Sequence, residues 1–527
     1  MSDWTSGYVA ELEYAQGVYR EMAPSLMRLN LLMQRADASA LSGQPPSTPL
    51  RYAELGCGHG LTATMIAASH PGAEIHATDF NPAHVAGARK LAAQANLKNI
   101  QFYEHSFAEF LAADLPMFDV VALHGVYSWI SEENRALIRD FLYAKLKPGG
   151  LCYISYNVLP GWAPAMPMRK LMIELGEGNK AQPMAARING ALDFIGQMQK
   201  ANAGYFKANP QAATRLEGMA KHSRNYLAHE YMNRDWNLFY HCDVARELAG
   251  AKLTFAASAH AGDHVDIVNL TVDQQQLLAS VTDPAVRETV RDFMVNQQFR
   301  RDIFAKGLLR LSGQEQVQAL ANTRFALTVP RSSLALKAGF PVGEVNLQAD
   351  VYEPVADALA EKPKSIAELL AAEPLKAMGY QKILQALLIL TSSGQAAPAL
   401  DDKAAREAKP HCDRLNAVLD RAGAHLRRHR LSGQPGHRLG RAGGPLQPAH
   451  AAGAQTGPEG SGGFRLAYPH RAEPAHPEGW QDAGNARGKP GRTEGPRGRL
   501  HRQDPAAAGL SRHRLRKLFS FISLRRS

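Results

Sequence analysis

Residues 51–82 read RYAELGCGHGLTATMIAASHPGAEIHATDFNP, and the order of residue types in this stretch decides the fold. RYAEL is a short apolar run that stops at a glycine turn. LTATMIAASH has the length and composition of a helix, and AEIHATD is a second strand. Asn81 followed by Pro82 starts another helix, a capping side chain with proline at the first helical position. Working outward, NIQFYEH is a third strand. FDVVALHG is almost wholly apolar, as a central strand buried on both faces must be. Ser131 caps ENRALIRDFLYAKL, and LKPGG turns into LCYISYN, a fifth strand. Strands alternating with helices predict an α/β, doubly wound, Rossmann-like parallel sheet with its ligand at the strands' C-terminal ends.

The turn itself narrows the ligand. Glu54-x-Gly56-x-Gly58-x-Gly60 places glycine where the backbone must turn tightly and approach a ligand without a Cβ in the way. A dinucleotide fingerprint, GxGxxG, needs its third glycine at position 61, which is Leu61, so the NAD pattern fails. With no pyrophosphate to cradle, the GxGxG turn through Cys57 fits the amino-acid portion of S-adenosylmethionine. Glu54 is placed to reach that ligand's ammonium group. Asp79 closes the second strand, where a carboxylate accepts both ribose hydroxyls, and Phe80 beside it can lie against the adenine face. Ser106 and Phe107, after His105, follow the third strand at the adenine edge. Cys57, Cys152, Cys242 and Cys412 lie far apart without CxxC or Cys/His pairing, which argues against both a metal site and a disulfide framework.

This constellation resembles the class I S-adenosylmethionine-dependent methyltransferases over about residues 50–160. A narrower resemblance reaches further along the chain. YVAELEYAQGVYREMAP (8–24), HGVYSWIS (124–131), SYNVLPGW (155–162) and YLAHEYMNRDWNLFYHCDVARELA (226–249) are similar to bacterial methyltransferases that carry a methyltransferase regulatory domain, a group that includes the rickettsial protein-lysine methyltransferases. The departure is His105-Ser106, where many class I enzymes hold an acidic residue for the adenine amine. The resemblance implies a cap segment over residues 1–49, a cofactor-binding core over 50–162 and a helical insert or lid over 163–225. A regulatory domain over 226–309 and a small winged-helix-like domain over 310–400 follow.

In this fold the segment after strand four faces the transferable methyl. Tyr127 and Trp129 are read as walls of a lysine channel, with cation–π attraction of about 0.5–2 kcal/mol, or as packing beneath the lid. His124 is either a base or a positional hydrogen bonder. Asn157 orients an acceptor nitrogen or shapes a turn. Tyr8, Tyr14 and Tyr19 cover the cofactor or belong to the core, and Arg169 meets a carboxylate or faces water. The later piece FRRDIFAKG reads as an edge strand of the same sheet.

The formal net charge of +11 would suggest nucleic acid, yet residues 411–527 alone carry 21 Lys and Arg against 8 Asp and Glu. The remaining body is nearly neutral, which argues against a nucleic-acid partner. From about residue 420 Arg, Gly, Pro, Ala and His dominate. Such composition belongs to an Arg-rich arm, a linker or a GC-rich gene read out of frame. The third reading is favoured because HRLSGQPGHR (429–438), shifted by one base, can encode IACLASPVTG. Residues 401–527 are therefore expected to be disordered. No apolar stretch long enough to span a membrane is present and no secretory leader is legible, so the expected location is cytoplasmic. The expected activity is methyl transfer to protein lysine. The alternatives are a small-molecule O-, N- or C-methyltransferase, or a cofactor-binding regulator whose C-terminal domain contacts DNA. The expected partners are a protein or small-molecule acceptor and a second copy held through the helical insert.

Overall fold

Seven strands form the main sheet of the computed structural model, which describes residues 17–41, 49–179 and 181–431, with side chains up to residue 421. In chain order they are β1 (Arg51–Leu55), β2 (Glu74–Asp79), β3 (Ile100–Glu104), β4 (Phe118–Leu123), β5 (Leu146–Asn157), β6 (Leu253–Ser258) and β7 (Phe299–Lys306). Their order in space is β3-β2-β1-β4-β5-β7-β6. Strands β1 to β5 run parallel, while β7 is antiparallel to both β5 and β6. The strand order reverses between β1 and β4, and the crevice at that point is where open α/β sheets bind ligands.

The local chemistry matches the elements. Helices α1 (Pro24–Met33), α2 (Leu61–Ser69), α3 (Pro82–Gln94), α4 (Phe107–Ala112) and α5 (Glu132–Lys145) connect or cover the strands. Asn81 accepts a hydrogen bond from the Ala83 amide at 3.0 Å and starts α3. Ser106 and Glu109 form a reciprocal capping box on α4, and Ser131 caps α5. Both faces of the sheet are buried. One packs Tyr52, Val120, Ala122 and Tyr153 against α1, α2 and α3; the other packs Leu55, Val121, Leu123, Ile154 and Phe304 against α4 and α5. Each such Val, Leu, Ile or Phe contributes about 1.5–3 kcal/mol on burial.

Helices between 166 and 231 form the insert, with their own core around Trp162, Met172, Ile188 and Leu227. Residues 310–400 contain β8 (Arg324–Leu327), the hairpin β9 (Lys337–Phe340) and β10 (Gly343–Asn346), β11 (Lys364–Ser365) and β12 (Ala396–Ala399). Strands β11, β8 and β12 make a small sheet under the capped helix Ile366–Leu370 and the apolar helix Tyr380–Ser392. From 349 to 399 the order is helix, strand, three helices and strand.

Two expectations need correction. FRRDIFAKG is not an edge strand, because β7 lies between β5 and β6 and is bonded on both sides. Residues 401–527 are not disordered from their start, because a helix covers Asp402–Leu431. Its Ala408, Cys412, Leu415 and Val418 are buried in the same core cluster as Ala67 and Ala68 of α2, so this short stretch has enough apolar surface to fold against α2 and α3. The out-of-frame reading of the residues beyond 431 lies outside the described residues. Among those described, no helix is long and apolar enough to cross a membrane.

Candidate cofactor and acceptor site

The turn between β1 and α2 is tied to the end of β2. Gly56 and Cys57 both donate backbone hydrogen bonds to the Thr78 carbonyl, at 2.8 and 2.9 Å. Gly56, Gly58 and Gly60 have φ of 70, 53 and 67°, the left-handed region that costs other residues about 1–2 kcal/mol. A Cβ at Gly56 would stand 2.6 Å from Val126 Cγ2, and one at Gly60 2.5 Å from Phe102 Cε1. Those two glycines allow close packing. Around Gly58 nothing lies within 4 Å of the corresponding position, so the turn opens there into a cradle.

Two carboxylates flank that cradle. Glu54 is 4 % exposed, and its Oε2 has no hydrogen-bond partner. Burial and the charge of Asp79 push its carboxyl up to about 8, against the pull of the Ala63 amide. A buried carboxylate oxygen without a partner is costly and is satisfied by an incoming cation. Asp79 is held from three sides. Its Oδ2 accepts from the Gly58 amide at 2.8 Å, and its Oδ1 meets the Asn81 amide at 2.9 Å and His84 Nδ1 at 3.2 Å. A carboxylate offers about four acceptor positions. Asp79 therefore has room for both ribose hydroxyls only when His84 releases its bond. His84, whose ring tilts against His59 with centroids 4.4 Å apart, was not singled out from the sequence.

Around the adenine position the picture is mixed. Phe80 is half-buried beside Asp79. Cys57 is half-buried, and burial, with Glu54 and Asp79, raises its thiol well above the usual range, which leaves it unreactive. The Ser106 hydroxyl is committed to the cap, donating to Glu109 Oε2 at 2.8 Å. Phe107 packs into the core cluster of Phe110 and Phe141. His105, by contrast, keeps a buried Nδ1 without a partner.

Beyond β4 a second group of side chains gathers. The Tyr19 ring is stacked on His124, with centroids 3.7 Å apart and planes 20° apart. Phe299 meets the same imidazole edge-on at 5.7 Å, and Tyr153 OH lies 2.7 Å from its Nδ1. Burial lowers His124 to about 3, Glu21 opposing and Arg301 adding to the effect. Glu21 and Arg301 are themselves paired at 2.8 Å. Burial would raise Glu21, but Arg301 and Arg20 hold it at about 2. Asn157 ends β5 opposite Phe299. It is 4 % exposed, with its backbone fixed by Ser128 and its Nδ2 without a partner.

Two readings fail here. Tyr127 does not line a channel: it is 1 % exposed in the core on the opposite face, against Phe239, and its hydroxyl donates to Glu247. The 3₁₀ turn Tyr127–Trp129 rolls this side chain inward, while Trp129 stays half-buried. Arg169 does not face water; it is 9 % exposed, donates to the Asn233 carbonyl, lies 4.5 Å from the Trp236 ring centroid and interacts electrostatically with the Glu230 carboxylate. Tyr8 and Tyr14 lie outside the described residues. Glu21, Tyr153, Phe299 and Arg301 were missed, because they come together from separate elements: the pairing of β4 with β5 places Tyr153, that of β7 with β5 places Phe299 and Arg301, and Glu21 comes from the turn before α1.

Residues 53–152 match a family described as methyltransferase domain, and residues 223–306 one described as predicted methyltransferase regulatory domain. The chain is 45% identical over 416 residues to uncharacterized protein sll1526 of Synechocystis sp., covering 79% of this chain and 81% of that one. The chain belongs to the S-adenosylmethionine-dependent methyltransferases that carry a methyltransferase regulatory domain. Uncharacterized protein RP789 of Rickettsia prowazekii is 25% identical over 261 residues, 49% of this chain and 46% of that one. The solved structure of PKMT2 from Rickettsia typhi in complex with AdoHcy superposes with a TM-score of 0.55 at 19% identity, over 73% of this chain and 77% of that one. This methyltransferase thus uses S-adenosylmethionine. The unpartnered oxygen of Glu54 and the open cradle at Gly58 fit that donor's amino-acid end.

Proposed function

We propose that this methyltransferase transfers its methyl group to the ε-amine of lysine side chains in protein substrates. The observation that carries the reading is the wall beyond β4, three rings (Tyr19, His124, Phe299) around a site with no effective base among the described residues. A hydroxyl acceptor needs a group to take its proton, and a histidine held near 3 does that poorly. An amine needs only to lose its own proton, which an apolar, desolvating wall promotes. The rings attract the incoming ammonium, and Asn157 is the group that orients the nitrogen, its carboxamide oxygen being the atom able to accept from it. His124 is then a positioning residue.

On the donor side, Glu54 takes the ammonium group, Gly56, Gly58 and Gly60 shape the turn around the amino-acid portion, Asp79 takes the ribose, and Phe80 with His105 borders the adenine. Bound there, S-adenosylmethionine supplies a methyl already activated on a sulfonium, so orientation is the protein's main contribution. The likeness to PKMT2 from Rickettsia typhi extends over 73% of the chain, and the sequence resemblance to the rickettsial protein-lysine methyltransferases supports the same class of acceptor. Incubating the protein with S-adenosylmethionine labelled in the methyl group and a cell extract tests this reading. Label on lysine in tryptic peptides is expected; label confined to small metabolites excludes it.

A further inference from the structure

Three consecutive residues ahead of α1 reach four separate parts of the molecule. Tyr19 lays its ring on His124, and its amide donates to the Thr62 hydroxyl at 3.2 Å, in the first turn of α2 beside the glycine turn. Glu21 pairs with Arg301 of β7 at 2.8 Å. Arg20, between them, reaches into residues 310–400, where its Nη2 donates to the Ser392 carbonyl at 2.8 Å. We propose that Arg20 is a positioning residue for methyl transfer, tying the Tyr19 ring at the acceptor wall to the end of the helix Tyr380–Ser392.

The anchor is built to hold. Ser392 is the last residue of its helix, so its carbonyl belongs to the final turn, which lacks partners within the helix. A cation at a helix C-terminus is also favoured by the helix dipole. The turn that follows is fixed. The Gln395 amide bonds back to the Leu390 carbonyl at 2.8 Å, and the Gly394 carbonyl accepts from the Thr328 hydroxyl at 2.6 Å. Gly394 has φ of 77°, and a Cβ there would stand 3.2 Å from Arg20 Nη1, so the guanidinium sits close against this turn. On another side, Ser392 Oγ lies 3.4 Å from His260 Nε2, and a Cβ at Gly262 would come within 2.4 Å of that oxygen. The helix end has little room to shift. At the other end of the tie, the Met22 amide closes the 3₁₀ turn Arg20–Met22 on the Tyr19 carbonyl at 3.1 Å, which makes Tyr19 and Arg20 move together. A stacked ring pair gains no more than ordering a side chain costs, so the anchor beside Tyr19 sets where its ring lies.

The inference takes from the acceptor reading only that Tyr19 and His124 border the incoming nitrogen, and its first readout needs no acceptor. In the full chain labelled in its histidines, the magnetic resonance signal of the His124 ring, assigned by its loss in His124→Asn, feels the ring current of Tyr19. Tyr19→Leu marks the signal without that ring, and Arg20→Met should move it at least halfway there. Should Arg20→Met not fold by near-UV circular dichroism, Arg20→Gln, shorter but polar, decides. The second readout is the initial rate of label transfer from S-adenosylmethionine to the proteins of a cell extract. Arg20→Met and Tyr19→Leu should each lose about 10-fold or more, as misorientation does. The double variant should lose no more than the slower single one, since residues acting through one another are not additive. A His124 signal unmoved by loss of the Arg20 side chain, or additive losses in the double variant, would overturn the proposal. Label absent from protein with wild type would count against lysine as the acceptor and leave the ring signal to decide.

Discussion

Glu54 and Asp79 close neighbouring strands, and the charge on Asp79 adds to burial in lifting the Glu54 carboxyl to about 8. Glu54 is therefore mostly neutral at pH 7 in the free protein and must lose its proton to pair with a ligand's ammonium. The affinity for S-adenosylhomocysteine should rise about tenfold per pH unit from 6 towards 8 and then level off. Calorimetry in buffers of different ionisation enthalpy should detect about one proton released per ligand at pH 6.5. Stability runs the other way. A carboxyl whose folded value is raised contributes stability fully present below the ordinary value of 4.5, lost as pH rises through about 8. Glu54→Gln should bind about 10–100-fold more weakly, the worth of a charged hydrogen bond, and lose this pH dependence.

Gly58 and Gly60 share a left-handed backbone but differ in what a methyl group would strike. Gly58→Ala should cost about 1–2 kcal/mol of stability and occupy the cradle, so the variant folds and fails to bind the donor. Gly60→Ala meets Phe102 and Ala88 besides, adding about 1–3 kcal/mol of overpacking. Thermal unfolding should rank wild type above Gly58→Ala and Gly58→Ala above Gly60→Ala. Equal melting temperatures for the two variants would contradict the packing account.

His124 takes up protons poorly, so it should not shape the pH dependence of the reaction. In His124→Asn the rate should fall through lost positioning, yet the pH–rate profile between 5.5 and 7.5 should keep its form. A limb near the usual histidine value of 6.5 that vanishes in the variant would assign the imidazole a proton-transfer role instead. Tyr127→Phe should act on stability, by about 1–3 kcal/mol for the lost buried bond to Glu247, with little change in the rate of the folded enzyme.

The helix beginning at Asp402 buries four apolar side chains on the cofactor-binding half. A chain ending at residue 401 should therefore melt several degrees below one ending at Leu431, since each lost contact is worth about 1–3 kcal/mol. Equal melting points would mean that this helix adds nothing to the fold.

The strand and helix order, the glycine turn and both flanking carboxylates were legible in the amino-acid sequence, because each follows from a local rule. Burial on two faces makes FDVVAL apolar throughout, and an αL turn demands glycine. Asn81-Pro82 can hardly do anything but begin a helix. The helical spacing of Ala408, Cys412, Leu415 and Val418 was equally visible but was masked by the Arg- and Gly-rich composition that follows. Other features had no local signal. His124 gained two of its ring neighbours from residues more than a hundred positions away, Tyr19 before it and Phe299 after it. Whether β7 lay at the edge or between β5 and β6 depended on which neighbour offered the better antiparallel partner. Tyr127 turned to the core because a short 3₁₀ turn has neither the period of a strand nor that of an α-helix. Local sequence thus set the donor half of the site, whereas the acceptor half exists only because distant segments pair across the sheet, where hydrogen-bond partners and burial are decided by the whole fold.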